Sequence, residues 1–161
     1  MTSDDGMRQL DPGTAVAGTS SPVRVIGPVT RTDFVRYAGA GGDFNPLHHD
    51  DERARAEGYP SVFSMGLFQA GLASLLAADW LGPSNMSSFG VRFLEPVWPD
   101  EVLVVTGEVT NVHVGDGLAR IEIQIVVTNT DGDEKVEAWA SGAIPLAASL
   151  KARNGPQEKA R

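Results

Sequence analysis

Residues 65–81, MGLFQAGLASLLAADWL, are apolar on almost every face of a helix. A helix apolar all round belongs inside a molecule, where a surface helix would carry one apolar stripe. Gly66, Ala70, Gly71, Ala73, Ala77 and Ala78 keep it thin enough for close packing, and Gly82-Pro83 stops it. Downstream the period changes. Ile121, Ile123, Ile125 and Val127 alternate with Glu122, Gln124 and Val126, the pattern of a half-buried strand. Strands are expected at 89–93, 101–112, 118–129 and 134–144, with hairpin turns at Gly115-Asp116-Gly117 and Asp131-Gly132-Asp133. With an earlier strand near 23–27 this gives about five antiparallel strands and one long helix, an α+β arrangement.

Two shorter helices precede the long one. Thr30 can cap the first, with Asp33 at the capping-box position in its aspartate form. Phe34, Val35, Tyr37 and Ala38 give it an apolar face, and the glycines at 39, 41 and 42 end it. Residues 50–57, DDERARAE, form the second, with acids first and arginines later, as the helix dipole favours. A solvated face explains that segment. Residues 1–21 are rich in Gly, Ser, Thr and Asp and are expected to be a partly disordered tail. Residues 147–161 read as a polar C-terminal tail. One domain is expected over 22–146, and 161 residues suit one domain better than two.

Composition narrows the function classes. A net charge of −8 offers no cationic field to recruit nucleic acid or an anionic membrane surface. With no cysteine, thiol nucleophiles, disulfides and thiolate metal sites are excluded. The sequence has neither a signal-peptide pattern nor an apolar run of about 18–20 residues, and a cytoplasmic protein is expected. His48, His49 and His113 show no HxH or HxxxH spacing, so no metal and no other cofactor is expected.

The chemistry gathers at Gly42-Asp43-Phe44-Asn45-Pro46-Leu47-His48. Asn45-Pro46 disfavours helix and supports a turn, so Asp43 and His48 can curl toward one point. Imidazole exchanges protons near neutral pH, and a carboxylate beside it can orient the same water. On spacing alone, a turn in which Asp43 caps amides and His48 opens the next helix is the commoner outcome. Asn45 suits the turn itself, its amide bonding nearby backbone. His49 reads as a surface neighbour.

The longer run YAGAGGDFNPLHHD, residues 37–50, resembles the hydratase motif of the MaoC-like, (R)-specific enoyl-CoA hydratase family, and the likeness extends over about 22–146. The resemblance implies a hot-dog fold: a sheet wrapped around one central helix, with an overhanging catalytic segment. It implies reversible hydration of trans-2-enoyl thioesters to (R)-3-hydroxyacyl thioesters, with Asp43 and His48 as catalytic dyad and Asn45 shaping the site. The substrate would be an acyl-CoA or acyl-carrier-protein thioester.

That reaction builds negative charge on the thioester oxygen, and free amides at a helix N-terminus can hold it. Here those amides belong to Ser64, Met65 and Gly66. Family members commonly read His-Gly-Met where this chain has Phe63-Ser64-Met65, so serine stands in place of a glycine. Serine keeps the amide but adds a side chain, and it is also a favoured N-cap. Phe63 and Phe68 are expected to line the acyl pocket, and Arg31, Arg92 and Arg120 are candidates for CoA phosphates. Two rivals remain. A hot-dog thioesterase commonly carries an acid on or near the central helix, but residues 65–78 hold none and Asp79 lies near the far end. A catalytic or accessory subunit of a heteromeric dehydratase is the other. A dimer is expected, as a homodimer or with another hot-dog chain, because a lone sheet leaves open edges.

Overall fold

The computed structural model describes residues 9–146. Five strands form one antiparallel sheet: β1 (Arg24–Ile26), β2 (Met86–Phe93), β3 (Leu103–Gly115), β4 (Leu118–Asn129) and β5 (Glu134–Pro145), in the order β1-β3-β4-β5-β2. Three helices precede β2: α1 (Arg31–Gly41), α2 (Asp51–Ala56) and α3 (Gly66–Leu81). Strand β3 runs past Val109, its last buried residue, because its pairing with β4 continues to Gly115 opposite Leu118. The hairpin register sets Val105 opposite Val127 and Val109 opposite Ile123, so one face of the sheet is continuously apolar.

That face packs on α3. Ala73, Leu76 and Ala77 are fully buried beneath Ile121, Ile123, Ile125 and Ala138, with Trp80 closing the far end. Gly107 permits the approach: a β-carbon there would stand 3.0 Å from Leu76 and 3.3 Å from Trp80. The result is the expected hot-dog architecture.

Two features depart from the sequence reading. The chain joins the core before residue 22. Leu10 and Ala15 are buried, and the amides of Leu10, Gly18 and Ser21 bond the carbonyls of Trp80, Val109 and Gly107. Main-chain hydrogen bonds hold this segment, and a Gly/Ser-rich composition does not reveal them. Residues 1–8 of the expected N-terminal tail and the whole expected C-terminal tail, 147–161, lie outside the described residues. In addition, α3 is not covered all round. Leu67 is 64% exposed and Leu75 52%, with exposed Gly71 between them, a stripe of i, i+4, i+8 spacing.

Candidate active site

The capping box at Thr30 is complete: its hydroxyl accepts from the Asp33 amide while Asp33 accepts from the Thr30 amide. Helix α1 ends at Gly42, whose φ of 72° is a left-handed C-cap that glycine adopts without strain. The chain then turns sharply through Asp43. Asn45 caps a short 3₁₀ turn, Pro46–His48, by accepting from the Leu47 amide at 3.1 Å. Asp43 supports the same turn by accepting from the Asn45 amide at 3.3 Å.

This turn aims His48 inward. The ring is nearly buried, and its Nδ1 lies 2.8 Å from the carbonyl oxygen of Phe63. A carbonyl only accepts, so Nδ1 carries the proton and the lone pair of the neutral ring sits on Nε2. Nε2 faces Asp43 Oδ2 at 3.7 Å. That gap is too long for a direct hydrogen bond, so neither group saturates the other. A small polar molecule between them would be within reach of a base and a carboxylate together. The Phe63 ring stands edge-on to His48 at 5.2 Å and to Trp98 at 5.8 Å, and fixes the imidazole plane.

A second anchor holds the segment opposite. Asp51, at the start of α2, binds Arg31 and accepts from the Val62 amide at 3.1 Å. The Arg31 guanidinium, helped by that amide, holds the Asp51 carboxyl below its ordinary value. Phe63 and Ser64 therefore reach the N-terminus of α3 from a fixed point. A cleft of about 300 Å³ opens there, lined by Phe63, Ser64, Gly66, Gln69 and Phe93 among others.

A model of the MaoC-like domain matches residues 15–131. The chain belongs to the MaoC-like dehydratase family. Among its MaoC-like relatives is the 3-oxo-4,17-pregnadiene-20-carboxyl-CoA hydratase beta subunit of Mycobacterium tuberculosis, 38% identical over 103 residues, which are 63% of this chain and 77% of that protein. The 3-hydroxyacyl-thioester dehydratase X of the same organism is 34% identical over 76 residues, 47% of this chain but only 26% of that longer protein. Relatives with these names make the family one of hydro-lyases. Among solved structures, the ChsH1–ChsH2 complex of M. tuberculosis contains a chain that aligns with a TM-score of 0.69 at 32% identity, over 82% of this chain and 99% of that one. The (R)-hydratase of A. caviae shares the fold, with a TM-score of 0.69 at 19% identity over 82% of this chain and 98% of that one.

Within this MaoC-like frame the remaining expected residues fall in different places. Met65 is the N-cap of α3, with its side chain buried and no side-chain cap bond. Ser64 therefore does not cap the helix. Its amide is not free either, since it donates to the Val97 carbonyl at 2.9 Å. The amides of Met65, Gly66 and Leu67 have no partner among the described residues, as the first turn of a helix cannot bond them internally. Phe63 lines the cleft, but Phe68 turns to α1 and packs edge-on to Tyr37 at 5.5 Å and Phe34 at 6.5 Å. Arg31 is held by Asp51 and Arg92 by Glu137, while Arg120 lies on β4 opposite His113. His49 is exposed, its Nε2 3.3 Å from the Phe44 carbonyl oxygen. Among the described residues no three His, Asp or Glu side chains gather as a metal site. No helix of the described residues is long and apolar enough to cross a membrane.

Sequence reading missed Gln69. It is 2% exposed and donates from Nε2 to Ser64 Oγ at 2.8 Å. A glutamine among apolar residues in the first turns of the helix was the available signal, because a buried amide needs a partner.

Proposed function

We propose that the protein catalyses reversible hydration of trans-2-enoyl thioesters of the CoA type to (R)-3-hydroxyacyl thioesters, with Asp43 and His48 as the acid–base pair. The observation that carries this reading is the orientation of His48: Nδ1 is committed to the Phe63 carbonyl, so the basic Nε2 and Asp43 Oδ2 converge. In hydration, Asp43 orients a water molecule and His48 Nε2 takes its proton as the water oxygen bonds to C3. The C2=C3 electrons move toward the thioester oxygen, giving an enolate. Return of the proton from His48 to C2 completes the addition and restores the neutral ring. The dehydration direction retraces these steps. The unpartnered amides of Met65 and Gly66 are suited to hold the enolate oxygen, aided by the α3 dipole.

The thioesterase alternative draws little support. Helix α3 has no acid in its first turn, and Asp79 is engaged by Arg24 outside the cleft. Assembly with a second hot-dog chain has a specific observation in its favour. Leu67 and Leu75 on α3, with Phe44, Phe93 and Leu94 elsewhere, leave large apolar side chains exposed. A second hot-dog chain, identical or different, would cover such surface, and the named relatives include a beta subunit.

The test follows enoyl absorbance and free thiol together while purified protein acts on crotonyl-CoA and a longer trans-2-enoyl-CoA. Loss of enoyl absorbance without thiol release supports hydration. Thiol release as the main event contradicts it.

A further inference from the structure

The hydratase reading leaves one polar pair unused. Ser64 and Gln69 are each 2% exposed, yet both line the cleft at the start of α3. The Ser64 amide is spent on the Val97 carbonyl. Its hydroxyl accepts from Gln69 Nε2 at 2.8 Å. A hydroxyl has one donor besides its acceptor lone pairs, and the Ser64 O–H has no acceptor among the described residues. The residue before it, Phe63, is bonded through its carbonyl to His48 Nδ1 at 2.8 Å. Ser64 is thus one peptide away from the atom that orients the imidazole.

We propose that the Ser64 hydroxyl is an oxyanion donor for the thioester, aimed by Gln69 and acting in place of the Ser64 amide. This inference rests on the hydratase reading. As the water oxygen bonds to C3 and the C2=C3 pair moves onto the thioester oxygen, the Ser64 O–H donates a hydrogen bond to that oxygen without transferring its proton. The first-turn amides of α3 supply the other donors. Gln69 is a positioning residue: its N–H occupies one lone pair of the Ser64 oxygen and directs the O–H away from α3. Serine also places a side chain where a glycine would leave open space, so this donor narrows the cleft beside the reacting carbons.

The experiment uses the full chain and two readouts. Ser64→Ala combined with Gln69→Met removes both partners of the pair, so no buried group is left unpaired. The variant is expected to keep its fold, to lose about 100-fold in kcat on the enoyl-CoA that the wild type hydrates, and to change KM little. The second readout is the absorbance of bound 4-dimethylaminocinnamoyl-CoA, whose conjugated carbonyl shifts to the red when donors polarise it. The shift is expected in the wild type and reduced in the variant. A folded variant with kcat within about threefold of the wild type overturns the proposal. So does a large loss of kcat with the red shift unchanged, which marks a packing role. If the double variant does not fold, Gln69→Met alone tests the aim: kcat should fall at constant KM, and unchanged kcat overturns the proposal. A folded wild type that hydrates no enoyl thioester removes the hydratase reading and this inference with it. Hydration by wild type and variant at closely similar kcat removes the inference alone.

Discussion

At the scale of single residues, Asp43 and His48 have separable supports. Asp43 is partly exposed and held by one amide, while His48 is nearly buried and locked to a carbonyl. Asp43→Asn and His48→Ala are each expected to lower kcat at least about 100-fold, with substrate binding changed far less. Steady-state kinetics with a direct binding measurement checks this, and near-normal turnover in either folded variant removes that residue from the mechanism. Asn45→Ala should cost about 1 kcal/mol through loss of the cap on the 3₁₀ turn, read as a lower denaturation midpoint. The turn that brings Asp43 and His48 toward one point was legible in the sequence, because Asn45-Pro46 favours a turn through local chemistry; their pairing as acid and base came only from the resemblance of the motif. The roles of Ser64 and Gln69 were not legible. Serine has a strong local preference for the N-cap, but Met65 takes that position and the Ser64 side chain is captured by a residue further along the helix. Phe68 was open for a similar reason: its aromatic character suits a pocket or a core, and the position of α1 sets its ring against Tyr37 and Phe34.

Among the elements, α1 was readable from its cap and α2 from its acids-first charge order, since both signals act within a turn or two. Both caps are present, at Thr30 and at Asp50. How α2 secures the site was not readable, because Asp51 reaches Arg31 and the Val62 amide, 20 and 11 residues away. That contact has a pH signature. The Asp51 carboxyl titrates below its ordinary value in the folded chain, chiefly through Arg31 and then the Val62 amide. A carboxyl lowered by folding contributes stability above its unfolded pKa, about 3.9, and that contribution is lost as pH falls through the lower folded value. Thermal stability should therefore decline as the solution is acidified below about pH 4, and Asp51→Asn should flatten part of that decline. An identical decline in Asp51→Asn would show that the contact does not stabilise the fold. The alternation along β4 was equally legible, with buried Ile121, Ile123, Ile125 and Val127 all on the helix side. Lys135 was not singled out: it is 2% exposed and lies 3.0 Å from Glu101, a charge pair that only strand pairing brings together.

The whole molecule presents more apolar surface than its pattern implied. All-round apolarity of α3 was read as all-round burial by the chain's own sheet, but the sheet covers only one side, and Leu67 and Leu75 remain outside. A helix can be apolar for a second chain as well as for its own core. The protein is accordingly expected to run as a dimer or larger assembly in size-exclusion chromatography with light scattering. Leu67→Glu with Leu75→Glu should dissociate it, and a fully active wild-type monomer would contradict the expectation. The Asp43–His48 mechanism is tested by the turnover of trans-2-enoyl-CoA by wild-type protein and His48→Ala side by side, with the product's configuration assigned. The Asp43–His48 mechanism predicts an (R)-3-hydroxyacyl-CoA product from the wild type and at least about 100-fold slower formation by the variant. An (S) product, or equal rates from the two proteins, would contradict it.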